Sequence, residues 1–149
     1  MATSENKSVD PLAPFSPGVR RWFESSFEGA TDAQAAGWKA ISSGLSTLIC
    51  APTGSGKTLA SFLWGIDRLA SRPVNGEGVR IVYISPLKAL SYDIERNLRA
   101  PPRGVDADIS VGLRTGDTSQ SDRAKMRRHP PDILITTPES LYLMLSSGA

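Results

Sequence analysis

The run Ala51-Pro52-Thr53-Gly54-Ser55-Gly56-Lys57-Thr58 constrains the fold more than any other stretch of the chain. It lies between the apolar Leu48-Ile49-Cys50 and a helical pattern that opens at Leu59. Small residues between a strand and a helix let backbone N–H groups turn inward as an anion nest. The helix N-terminus adds its partial positive charge to the same spot. On that reading Thr53, Gly54, Ser55 and Gly56 line a phosphate cradle, Lys57 reaches the outer phosphates of ATP, and Thr58 ligates Mg2+. The general pattern GxxxxGK[ST] asks for glycine first. This chain has Ala51, so that position need not adopt a glycine-only backbone conformation. The same letters could describe a glycine-rich turn before Lys-Thr, but the flanking strand and helix patterns favour the P-loop.

At 149 residues the chain is long enough for one domain with a real core and too short for two ordinary ones. A net charge of +2 is too small to argue for a nucleic-acid partner by itself, although the basic residues thicken from Lys88 onward. The single cysteine, Cys50, excludes an internal disulfide, and its place in an expected core strand reads as a small buried apolar residue. No apolar run approaches the length of a membrane span, so no membrane partner is expected. The N-terminus carries Glu5 and Asp10 and lacks the pattern of a signal or transit peptide, which gives the cytoplasm as the expected location.

Residues 1–14, punctuated by Pro11 and Pro14, read as a disordered tail ahead of a domain over 15–149. Val19, Trp22, Phe23 and Phe27 recur at helical spacing and predict a helix ending near Gly29. A second helix from Thr31-Asp32 turns Ala36, Ala40 and Ile41 inward and stops near Gly44, before a strand from Thr47 to Ala51. After the P-loop, Leu59, Phe62, Leu63, Ile66 and Leu69 form one stripe. Val79 to Ile84 reads as a strand buried on both faces, and Leu87, Leu90, Ile94 and Leu98 as the inner face of the helix after it. Ile109 to Leu113 is a shorter strand, Ser119 to Arg128 a surface helix, Ile133 to Thr136 a buried strand, and Pro138 to Leu145 a last helix. This alternation predicts a three-layer α/β domain around a mostly parallel sheet.

Thr31-x-x-Gln34 fits a capping box, seventeen positions ahead of the P-loop and behind Phe15, Trp22, Phe23 and Phe27. Pro86 and Lys88 follow the strand ending at Ile84, Thr115 and Gly116 follow the next, and Thr137 and Pro138 the last. Capping alone explains any one of these ends. Three in succession behind a P-loop make a row able to track a nucleic-acid backbone. Arg123, Lys125, Arg127 and Arg128 read as a solvated face, with attraction of nucleic acid the minority alternative. His129 has no partner in view and receives no role.

The ordered series Gln34, Ala51 to Thr58, Pro86 to Leu90, Thr115-Gly116-Asp117 and Thr137-Pro138-Glu139-Ser140 resembles the first RecA-like domain of a superfamily 2 ATP-dependent helicase. Ser85-Pro86-Leu87-Lys88-Ala89-Leu90 and the Trp22-Phe23 helix are similar to the Lhr (large helicase-related) group, close to the DEAD/DEAH-box proteins. The resemblance implies that Gln34 reads adenine, that Lys57 and Thr58 hold ATP and Mg2+, and that Pro86, Lys88, Thr115, Gly116, Thr137 and Pro138 lie along single-stranded or partly duplex nucleic acid. It also implies a DNA-repair association.

Hydrolysis needs carboxylates, usually from a strand ending in Asp-Glu. The strands here finish at Ala51, Ser85, Thr115 and Thr137, and the resemblance puts the acidic pair beyond Ala149. The expectation is therefore an N-terminal helicase piece that binds ATP without appreciable turnover or unwinding. A nucleotide kinase, which leaves Gln34 and Thr-Pro-Glu-Ser unaccounted for, and a non-catalytic module for nucleic acid or a partner chain are the alternatives.

Overall fold

Ser16 accepts the Val19 N–H at 3.5 Å and Pro17 takes the first helical position, where a missing N–H is harmless, so helix α1 runs Pro17–Ser26. The computed structural model describes residues 10–71, 78–86 and 108–147. The chain divides into two units, Met1–Asp67 and Arg68–Ala149. The remaining elements are α2 (Asp32–Ser42), α3 (Lys57–Ser71), β1 (Ile81–Ile84), β2 (Val111–Arg114), α4 (Gln120–Arg128), β3 (Ile133–Thr136) and α5 (Pro138–Ser146). The loop at 74–77 and the helix expected from Leu87 to Leu98, with Lys88, lie outside the described residues.

The first unit is built on aromatic packing. Trp38 is fully buried, with Phe15 edge-on at 4.9 Å and Phe23 at 5.4 Å between ring centroids. The buried residues of α2 are therefore Gln34, Gly37 and Trp38, and Ala36 faces solvent, contrary to the expected Ala36, Ala40 and Ile41 stripe. One indole removes more apolar area from water than several small side chains, and it sets the rotation of the helix. Gly37 permits the close approach: a Cβ there would lie 2.9 Å from Ile49 Cδ1 and 3.8 Å from Ala60 Cβ.

Residues 10–14 are not a loose tail. Asp10 bonds the Leu12 N–H at 2.9 Å and pairs with Arg20 at 2.8 Å, and Leu12 is buried. Just beyond, the Ser16 N–H donates to the buried carboxylate of Asp67 at 3.1 Å, tying the start of α1 to α3.

Two expectations fail at residues 47–51. No strand forms there among the described residues, Leu48 is 88% exposed, and Cys50 is exposed as well. A strand exists through pairing, and the described ladders join only β1 with β3 and β2 with β3. An apolar run without a partner strand gains neither a ladder nor burial.

In the second unit the parallel sheet has the order β1-β3-β2. Central β3 is buried at all four positions, as its unbroken Ile-Leu-Ile-Thr run predicts. β1 alternates instead: Val82 and Ile84 are exposed, so this strand is not buried on both faces as expected. It stands at the edge of the described sheet, where one flank has no neighbouring strand. Helix α4 has no buried residue, as its polar composition predicts.

Asp132 ties the entry ends of all three strands. Its carboxylate accepts from Arg80 Nη2 at 2.6 Å and from the Ser110 N–H and hydroxyl, each at 2.8 Å. Its backbone carbonyl accepts from the N–H groups of Arg80 and Ile81. Burial pushes the Asp132 carboxyl up, but the Ser110 and Arg80 hydrogen bonds together outweigh it and leave the group below its ordinary value of 3.8. A lowered carboxylate pKa stabilises the fold above the unfolded-chain value, and that stability is lost as pH falls through the folded value. Asp132→Asn should therefore cost about 1.5–3 kcal/mol at pH 7 and markedly less at pH 3. Urea melts at the two pH values check this, and an equal penalty at both would contradict it.

Candidate nucleotide site and strand-end row

The P-loop closes over Ser55, whose N–H and hydroxyl bond the Pro52 carbonyl at 3.4 and 2.7 Å. Gly54 and Gly56 take φ of 81° and 76°. Helix α3 then begins at Lys57, and the Ala60 N–H bonds the Gly56 carbonyl at 2.9 Å. The Lys57 ammonium folds back into its own loop, donating to the Ala51 carbonyl and to the Pro52 carbonyl at 2.5 Å. Thr53 and Thr58 are exposed. The loop thus presents a free hydroxyl at the helix start beside a lysine whose contacts are neutral carbonyls.

The capping box forms as its letters predict: Gln34 N–H to Thr31 Oγ1 at 3.2 Å, and Thr31 N–H to Gln34 Oε1 at 3.0 Å. It also does something the pattern did not announce. Thr31 Oγ1 donates to the Ser55 carbonyl at 2.8 Å, and Gln34 Nε2 to the Gly56 carbonyl at 3.4 Å. One helix cap therefore braces two successive carbonyls of the phosphate loop. Thr31 was legible in the sequence only as a cap, because a bond spanning 24 residues leaves no local signal. Gln34 is 4% exposed with both ends of its amide engaged.

Gly56 is where this brace is most exacting. Its φ of 76° disfavours any side chain, and a Cβ would stand 2.3 Å from Gln34 Nε2. Gly56→Ala should push Gln34 off the loop and weaken ATP-analogue binding about tenfold or more, while costing roughly 1–3 kcal/mol of stability. Fluorescence titration and thermal melts read the two effects separately, and wild-type affinity in the variant would contradict the brace.

In the second unit, Ile84, Thr136 and Arg114 are paired in register, so Ser85, Thr137 and Thr115 leave the sheet at one level. These three are buried. Thr137 Oγ1 caps α5 by accepting the Ser140 N–H at 3.4 Å, and Thr115 Oγ1 accepts the Asp117 N–H at 3.3 Å. The exposed members of the row are Pro86, Gly116 and Pro138, which offer backbone more than hydroxyls. Arg123, expected on a solvated face, is half-buried and donates from Nη2 to the Gly116 carbonyl at 2.8 Å. No group of three or more His, Cys, Asp or Glu able to hold a metal occurs among the described residues.

Comparison with known proteins decides the family. The DEAD/DEAH box helicase model matches residues 31–148. The chain belongs to the DEAD/DEAH box helicase family. It is 52% identical over 152 residues to the Lhr helicase/probable uracil glycosylase of Mycolicibacterium smegmatis, a match covering 95% of this chain and 10% of that protein. It is 44% identical over 167 residues to the Lhr helicase/uracil glycosylase of Escherichia coli, covering 98% and 11% respectively. The structure of Mycobacterium smegmatis helicase Lhr bound to ssDNA and AMP-PNP superposes with a TM-score of 0.88 at 52% identity, over 94% of this chain and 19% of that one. The chain spans about a tenth of the length of these two curated relatives. The Lhr resemblance and the RecA-like α/β fold of this helicase domain are both borne out.

Proposed function

We propose that this chain is the ATP- and nucleic-acid-binding N-terminal part of an ATP-dependent superfamily 2 helicase of DNA-repair type, working in the cytoplasm. The observation that carries the reading is the braced P-loop, with Lys57 turned inward onto carbonyls that phosphate oxygens can replace. Lys57 and the backbone N–H groups of Thr53 to Gly56 hold the phosphates, Thr58 binds Mg2+, and Gln34 reads adenine by exchanging its present partners for the base edge. ATP supplies a phosphoanhydride bond. The described strands end at Ser85, Thr115 and Thr137 and none of these ends is a carboxylate, so the chain alone binds ATP without appreciable hydrolysis or unwinding.

The exposed backbone at Pro86, Gly116 and Pro138, with Lys88, Thr115 and Thr137, follows a single strand of nucleic acid through its phosphates. The matched Lhr helicase bound to ssDNA and AMP-PNP supports both ligands. Titration with labelled oligo-dT over a range of salt should give affinity that falls linearly on logarithmic axes, as released counterions require. ATPase assay of the same sample should read background. Robust turnover that disappears in Lys57→Ala would overturn the non-hydrolytic reading, and salt-independent or absent DNA binding the nucleic-acid one.

A further inference from the structure

Between α4 and α5 lies a cavity of about 500 Å3 whose floor includes Leu134 of β3. Val79, just ahead of β1, and Pro130 and Pro131, just ahead of β3, line it. Its lining therefore runs from the entry ends of β1 and β3 to the exit end of β2. Three guanidinium groups line the same space: Arg114 from the end of β2, and Arg123 and Arg127 from α4. No Asp or Glu does so among the described residues, and none of the three arginines is in an ion pair there.

Like charges held together without a counterion are unfavourable. Burial, reinforced by Arg123 and Arg127, pushes the Arg114 guanidinium below its ordinary value. Arg123 is anchored by its bond to Gly116, while its Nε is buried without a hydrogen-bond partner. The charge complement is an anion, and bidentate pairing makes a carboxylate or phosphate the natural one. The walls decide between them. They are aliphatic, with Met126 and Met144 among them, and no aromatic ring from the described residues faces the cavity. A nucleic-acid base entering this cavity would find no aromatic platform to stack on, whereas flexible methionines adapt to aliphatic side chains.

We propose that this cavity docks a segment of a partner protein in which an aspartate or glutamate stands beside a leucine-like side chain. The probe is a fluorescein-labelled octapeptide of alternating leucine and glutamate, compared with its glutamine counterpart against the full 149-residue chain. The glutamate peptide should bind at least about tenfold more tightly at low salt and lose that preference at high salt. Arg127 is exposed on α4, so Arg127→Glu should keep the fold, checked by circular dichroism. It should abolish the preference and confer one for a lysine-bearing peptide; Arg114→Gln should weaken the preference. Equal binding of the two peptides would overturn the proposal, as would an unchanged preference in Arg127→Glu. Competition by oligo-dT that vanishes in that variant would assign the cavity to nucleic acid instead.

Discussion

Lys57→Ala should lower the affinity of the chain for a fluorescent AMP-PNP derivative by about ten- to a hundredfold while leaving its melting curve nearly unchanged. The ammonium is the one full positive charge the P-loop supplies, and charge-assisted hydrogen bonds contribute about 1.5–3 kcal/mol each, which is roughly that range of affinity. In the described structure its partners are the exposed Pro52 and half-buried Ala51 carbonyls, groups water can satisfy once the side chain is gone. Stability should therefore move by less than about 0.5 kcal/mol. Unchanged nucleotide affinity would remove Lys57 from the site. A large loss of stability would mean that the lysine acts as a structural strap.

Trp38→Ala should be the most damaging single core substitution, costing about 3–5 kcal/mol. That is a large share of the 5–15 kcal/mol that holds an ordinary domain together. The indole is fully buried, and its removal takes the edge-on contacts of both Phe15 and Phe23 with it. Trp38→Phe separates packing from polarity. The indole Nε1 is buried with no hydrogen-bond partner, so phenylalanine deletes an unsatisfied donor while keeping an aromatic body in place. The net cost should stay below about 1.5 kcal/mol. Denaturant melts of the two variants give the comparison, and an alanine variant as stable as the parent would show that the aromatic cluster is not the core of this unit.

What the sequence disclosed was whatever local spacing determines. The P-loop letters, the caps at Thr31 and Thr137, and the stripe on α3 follow from neighbours within a turn or two, and all are present. β3 was legible because a strand buried on both faces needs an unbroken apolar run. The same kind of run misled at Leu48-Ile49-Cys50, since pairing is a property of a distant strand and composition cannot report it. β1 failed halfway for a related reason: its letters suit a central strand, and its place at the edge of the described sheet exposes Val82 and Ile84. Asp67 and Asp132 were invisible as organising groups because their partners Ser16 and Arg80 lie 51 and 52 residues away. At the site, letters named the residues of the cradle but not the two bonds that hold its carbonyls.

The bond between Ser16 and Asp67 sets a practical boundary for anyone expressing this domain. The family match opens at residue 31, and a version of the chain trimmed to that point would keep every residue of the nucleotide loop. It would also lose the N–H that answers a carboxylate only 2% exposed, together with Phe15 and Phe23 from around Trp38. Such a trimmed protein should be poorly soluble, for reasons that have nothing to do with its motifs. A trimmed version of the chain should therefore keep Asp10, where the first packed turn of the described residues starts.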